Sequence, residues 1–410
     1  MSDTLDFLAE ARAAYVAANA ATLRWMLDRP ALHGVYLNTK MNSVTLKDYT
    51  AADGWRGPDI LYGWIQGRGL EALVTHAAFF ETEDPALAQR LDAAAQPLFE
   101  ALADLHDRHG GAFFTYDVGL EPVYRGSDGT ALPQAKGTEF FTYSDAFVLK
   151  GLIAAASRYA PERRAPWLAR LADLIAAIED KRFIMDEQQL LSAEAAHRQH
   201  PEYGPRMILM GAASLLRRLG LEAEARFGDR FIAHVLDRHW DGHGPRATDL
   251  IRDFEGGSTS NVGHAIEFVG FAMEYLPRGA EAGLSGPLER ALIASFNAGF
   301  DPPGLRLTVS LSGEKLSPNC PWWSLPETTR AAGLMHARTG SPDTLRIWKT
   351  AHEAFFAHYW RGNPPVAYQT RTAEGPLDFV PATPDLDPGY HTGLSFLGAI
   401  EAIDAIMGKH

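Results

Sequence analysis

The feature that most constrains this chain is a helical apolar period that recurs along its 410 residues without a linker between repeats. From about Thr4 to Asp28, the residues Leu5, Ala9, Ala13, Val16, Ala20, Leu23 and Leu27 fall three or four positions apart, which places one apolar stripe on a helix. The same pattern predicts helices at about 62–81, 85–108, 143–160, 163–180, 203–219, 221–239, 260–276, 286–299, 322–338, 342–359 and 391–407. Asp84-Pro85 and Ser341-Pro342 open two of them, with proline in the first turn, where no N–H is needed; Gly110-Gly111 and Pro277-Arg278-Gly279 close two others.

Short connections such as Glu81-Thr82-Glu83 and Leu219-Gly220 alternate with long ones at 110–126, 181–204, 304–317 and 362–390, which are rich in Gly, aromatic and β-prone residues. Short turns make antiparallel helix pairs, and long loops are where function collects. No Pro/Gly/Ser run or charge block divides the chain. Twelve helices without a break predict one all-α domain over residues 1–410, with an inner and an outer layer of six helices closing into an (α/α)₆ barrel around a funnel.

Composition removes several function classes. Hydrophobic residues make up 46% and charged residues 22%, enough apolar material for a large core. The net charge of −13 leaves no basic surface to neutralise phosphates, so nucleic acid is not an expected partner. The single cysteine, Cys320, cannot form an internal disulfide; set between Pro318 and Pro321, it reads as a small buried thiol. The acidic start Met1-Ser2-Asp3-Thr4-Leu5-Asp6 is unlike a signal peptide, and no apolar run reaches the ~18 residues of a membrane span. The expectation is a soluble, cytoplasmic protein.

Polar residues on inner-type helices mark candidate chemistry. In Asn261-Val262-Gly263-His264-Ala265-Ile266-Glu267, His264 and Glu267 share a face at a helix start, and Gly263 permits close approach. Pro388-Gly389-Tyr390-His391 places a second histidine at another helix start, after a long loop. Trp322-Trp323-Ser324-Leu325-Pro326-Glu327 offers an indole to stack on a sugar face, with Glu327 in the first or second turn. In Tyr62-Gly63-Trp64-Ile65-Gln66-Gly67-Arg68-Gly69, an arginine between helix-weakening glycines suits a tight packing site or a ligand contact. Asp145, by contrast, reads as a first-turn acid favoured by the helix dipole. The remaining histidines form no metal-ligand spacing, and neither a metal nor another cofactor is expected.

Taken in order, these segments resemble the N-acylglucosamine 2-epimerase family, which includes renin-binding protein and is related to mannose isomerase and cellobiose 2-epimerase. Gln66-Gly67-Arg68 after Trp64, Gly263-His264 with Glu267, Trp322-Trp323 with Glu327, and Tyr390-His391 match its motifs. Three departures stand out. The isomerase and cellobiose epimerase branches carry a further histidine where this chain has Gly204-Pro205-Arg206-Met207-Ile208-Leu209-Met210, which looks closer to the N-acyl branch. That branch has an arginine soon after the last histidine, whereas Thr392-Gly393-Leu394 has none, and Pro326 stands in place of a helix-friendly residue.

The resemblance implies a carbohydrate isomerase that epimerises C2 of an N-acyl hexosamine or related aldose, with no cofactor, and suggests a homodimer. Ring opening, removal of the C2 proton and its return to the other face need two groups that titrate near neutrality, which suits His264 and His391. Arg68, Glu267, Glu327, Trp323 and Trp64 would bind the sugar or orient the histidines. Three other readings use the same residues: an aldose–ketose isomerase through the same enediol, a glycoside hydrolase or lyase with Glu267 and Glu327 as its carboxylates, and a sugar-binding protein without turnover.

Overall fold

Apolar stripes at helical spacing gain most of their stability by packing against one another, and the chain does this nearly throughout. In a computed structural model, which describes residues 2–279, 283–379 and 382–408, the α-helices are α1 (Ser2–Leu27), α2 (Gly63–Glu83), α3 (Pro85–His109), α4 (Tyr143–Tyr159), α5 (Arg164–Glu179), α6 (Ala193–Arg198), α7 (Gly204–Arg218), α8 (Glu222–Ala225), α9 (Phe227–Arg238), α10 (Val262–Tyr275), α11 (Ser285–Gly299), α12 (Ser324–Thr339), α13 (Pro342–Ala354) and α14 (Ser395–Ile406). Each of the twelve expected helices is present. The segment 221–239 is divided into α8 and α9, and α6 is an additional short helix inside the loop 181–204, carrying His197.

The predicted helix at 322–338 begins at Ser324, so both tryptophans precede it. Pro326 is the third residue of α12, in the turn whose N–H groups have no intrahelical partner, and it leaves the helix intact. Phe355–Tyr359 and Tyr390–Leu394 are π-helical turns; the first continues α13 and the second leads into α14. No described helix is long and apolar enough to cross a membrane.

The chain packs as two compact units. The first comprises residues 23–201 and 382–390. Its α2 and α4 are buried on most sides, while α3 and α5 bury a single stripe. Two glycines explain the close approach of α2 and α4. A Cβ on Gly67 would lie 2.6 Å from the Val148 backbone nitrogen, and one on Gly151 would lie 2.6 Å from the Gly67 carbonyl oxygen. The long connection 110–126 and the segment after it are β-structure here: Leu61–Tyr62, Thr115–Tyr116, Pro122–Arg125 and Ala131–Pro133 form an antiparallel sheet in that order. Segment 382–390 is tied in by a buried ion pair, Lys40 Nζ to Asp385 Oδ2 at 2.9 Å, and by the Leu386 N–H, which donates to the Thr39 carbonyl.

The second unit comprises residues 1–22, 202–381 and 391–410. Nearly every residue of α7, α10 and the first three turns of α12 is buried, so these are interior helices, and α9, α11 and α13 cover them with one apolar face each. The long loops contribute short strands that pin the helix starts. Thr259–Asn261 pairs with Thr308–Ser310 just before α10, and Cys320–Pro321 pairs with Thr370–Thr372 just before α12. Cys320 is buried, and burial pushes its thiol up to about 11, as befits a packing residue.

The Gly67 contact leads to a direct prediction. Gly67→Ala places a methyl against the backbone of α4 and is expected to destabilise the protein by about 1–3 kcal/mol, seen as a lower urea midpoint with an unchanged slope.

Candidate active site

The start of α10 is built by three linked hydrogen bonds. The Asp253 carboxylate accepts from the Asn261 backbone N–H at 2.6 Å and from the Thr259 hydroxyl at 2.8 Å. The Asn261 side chain then caps α10 by accepting from the His264 backbone N–H at 3.1 Å, which fixes His264 in the first turn. Gly263, next to it, leaves room for an aromatic ring: a Cβ there would meet Trp323 at 2.8 Å and Leu307 at 2.7 Å. The Trp323 indole therefore lies against the backbone of α10 and stacks on His264, with ring centroids 5.5 Å apart and planes at 28°.

The same indole reaches His391, at 5.6 Å and 33°, and Trp322 meets that imidazole edge-on at 6.2 Å. One tryptophan thus holds contact with both sequence-predicted histidines. His391 lies in the π-helical turn before α14, a deformation that often accompanies functional sites.

The two imidazoles differ in their surroundings. His391 Nδ1 donates to Glu327 Oε1 at 2.9 Å, and Glu267 Oε1 lies 3.9 Å from the same nitrogen. Both carboxylates are essentially inaccessible to water, at 1% and 2% exposure. This fixes the proton on Nδ1, orients the ring and stabilises its charged form, and it directs proton exchange with a ligand to Nε2. Glu327 Oε2 also pairs with the buried Arg330, whose guanidinium lies 3.7 Å from Glu274 Oε1 and 4.1 Å from the centre of the Phe271 ring. Gly398 on α14 makes space for that pair, since a Cβ there would fall 2.9 Å from both Arg330 and Glu274.

His264 has a different setting. Burial lowers its pKa to about 4, and the Asp253 carboxylate acts in the opposite direction. The site thus presents one neutral imidazole and one backed by carboxylates.

Five of the seven sequence-predicted residues come together here: His264, Glu267, Trp323, Glu327 and His391. Glu267, which shares a helix face with His264, approaches Nδ1 of His391 to 3.9 Å. Arg330 and Glu274 were not foreseen; the three-residue step from Glu327 to Arg330 was the available signal. Glu267, Glu327 and His391 also have potential metal-ligand atoms within 4.8 Å of one another, a grouping their sequence spacing does not reveal. The guanidinium of Arg330 already supplies positive charge to that cluster.

Arg68 and Trp64 belong to the first unit. The Arg68 guanidinium lies over the rings of Phe147, Trp64 and Tyr390, at 4.0, 5.0 and 5.4 Å. Trp64 is half-buried against Phe114, Tyr143 and Phe147, and its Nε1–H donates to Glu187 at 2.7 Å. The buried Glu187 also accepts from the Ser144 hydroxyl at 2.5 Å, and desolvation lifts its carboxyl to about 7 against these hydrogen bonds. The glycines beside Arg68 are explained by packing on α4 and on Leu37. Asp145 has the structural role expected of it: it closes a capping box with Thr142 and pairs with Lys136.

Comparison with solved structures gives the architecture a context. A crystal structure of D-mannose isomerase superposes with a TM-score of 0.70 and 13% identity, covering 95% of this chain and 97% of the isomerase. Cellobiose 2-epimerase from Spirochaeta thermophila DSM 6192 gives 0.68 and 16%, over 98% of each chain. The enzyme of the same name from Bacillus thermoamylovorans B4167 gives 0.69 and 14%, over 98% of this chain and all of the other. This chain has their fold. That likeness, together with the helix count, places it in the all-α class expected from its sequence. No protein-family model matches the sequence, and no curated protein matches it either.

The low-lying His264 has a consequence for stability. In the unfolded chain this imidazole titrates near 6.5, and in the folded protein near 4, so between these values the unfolded state binds more protons. Its contribution to stability is present above about pH 6.5 and is lost as pH falls toward 4. His264→Gln is expected to flatten the fall in unfolding free energy over that window, measured by urea titrations at a series of pH values.

Proposed function

We propose that this protein is a sugar isomerase that exchanges the proton at the carbon next to an aldose carbonyl, epimerising C2 of an N-acyl hexosamine or a related aldose. The observation that carries this reading is the single indole of Trp323 in contact with two imidazoles that have opposite electrostatic settings. The fold shared with D-mannose isomerase and cellobiose 2-epimerases supports it.

The C2 hydrogen of an open-chain aldose is acidified by the neighbouring carbonyl. A neutral imidazole, His264, can accept that proton, and the electrons of the C2–H bond pass into an enediolate. An imidazolium, His391, held by Glu327 and Glu267, can return a proton to C2 from the other side. In the reverse direction the roles exchange. Trp323 offers its indole to the apolar face of the sugar. The enediolate is stabilised by positive charge, a part that His391 can share. For Arg68 and Trp64 we retain the sugar-binding role that the sequence resemblance implies. Chemistry of this kind asks no redox partner of the protein.

The hydrolase reading fits the carboxylates less well. A glycosidase needs two carboxyl groups facing the glycosidic bond, one of them free to donate a proton. Here Glu327 is engaged by His391 and Arg330, and Glu267 faces the same imidazole nitrogen. Return of the proton to C1 instead of C2 would make the protein an aldose–ketose isomerase with the same residues.

The test is product analysis with a panel of N-acyl hexosamines, free aldohexoses and β-linked disaccharides. A C2 epimer is expected from at least one of them. His264→Ala and His391→Ala should each lower its formation by at least about 100-fold, the usual worth of a positioned acid or base. A ketose would identify the isomerase variant of the mechanism. Cleavage of a disaccharide that survives both substitutions would refute the proposal.

A further inference from the structure

The Asp253 carboxylate is the first member of the hydrogen-bond chain that positions His264. It receives the Asn261 N–H and the Thr259 hydroxyl, and the Asp253 N–H in turn donates to the Thr259 carbonyl at 3.0 Å. Both ends of the strand Thr259–Asn261 are therefore held by one residue, and the Asn261 side chain carries that constraint to the first turn of α10. No motif in the sequence points to Asp253, which lies eleven residues before His264 in a loop.

We propose that Asp253 is a positioning residue for His264: its carboxylate fixes the turn that holds the imidazole, and its charge acts on the ring. The charge matters because apolar side chains border the imidazole, with Trp323 stacked on the ring and Leu307 beside Gly263. Desolvation drives the imidazole down, and Asp253 is the charge that opposes it. The groups around Asp253 form a mixed cluster. Glu202, pushed up to about 7 by burial and then by Asp253, lies on one side. His239 feels Asp253 and Glu255 as favourable charges and Arg206 as an unfavourable one.

The proposal rests on His264 acting as the base, but its test needs no sugar and so fails or succeeds independently of the proposed reaction. The imidazole resonances of full-length protein labelled with ¹⁵N-histidine are followed from pH 8 to pH 3, with His264 assigned by its loss in His264→Gln. Asp253→Asn removes the charge and keeps an acceptor for the Asn261 N–H. Thr259→Val removes one hydrogen bond to Asp253 and keeps the charge. Asp253→Asn should move the His264 titration down by roughly half a pH unit or more, so that near pH 4 about a quarter of it is protonated where wild type is about half protonated. Thr259→Val should leave the midpoint unchanged. If Asp253→Asn does not fold, as judged by circular dichroism, Asp253→Ser tests the same charge. An unmoved midpoint in the charge-removing variant, or an equal shift in Thr259→Val, would overturn the assignment.

Discussion

The second unit is organised by the buried carboxylate of Glu327. A carboxylate at 1% exposure needs partners for both oxygens, because burying an uncompensated charge costs several kcal/mol. Glu327 finds them in His391, in the turn that leads into α14, and in Arg330, one turn along its own helix. Arg330 in turn faces Glu274 on α10. A single acid thereby joins the start of α14 to α12 through charged hydrogen bonds, and Arg330 extends the link to α10 as an ion pair with Glu274. The same link sets the direction of the His391 ring.

Around this link, the helix starts are held by small and aromatic residues. Gly263 lets Trp323 press on α10, and the indole spans from His264 to His391. The two histidines sit in unlike surroundings, one desolvated and neutral, the other backed by carboxylates. Proton transfer between two faces of one carbon calls for such a difference, since one group must begin as a base while the other begins as an acid.

The helices were legible in the sequence because their apolar spacing is regular and their ends carry Pro and Gly signals. The α6 helix was not, because its six residues lie in a polar loop with too few turns to show a period. The β-prone loops announced their composition but not their pairing, which depends on partners such as Thr308–Ser310 for Thr259–Asn261. Among site residues, His264, Glu267, Glu327 and His391 stood out as polar residues at the starts of apolar helices, and Trp323 as one of two adjacent indoles beside such a start. Glu267 shares a helix face with His264, yet its carboxylate lies 3.9 Å from Nδ1 of His391, 124 positions away in sequence. The three-residue step from Glu327 hinted at Arg330, but its second partner Glu274 is brought near only by the fold, and Asp253 sits in no motif. The glycines beside Arg68, which sequence left open between packing and ligand approach, are accounted for by α4 and Leu37.

The reaction proposed for this protein breaks a C–H bond next to a sugar carbonyl. The most direct measurement uses an aldose or N-acyl hexosamine deuterated at C2, incubated with the protein in ordinary water and followed by mass spectrometry of the recovered sugar. Loss of the deuterium to solvent from substrate or product, with a slower turnover than for the protiated sugar, is the predicted result. Product that keeps its deuterium at C2, formed at the same rate with either isotope, would contradict the account.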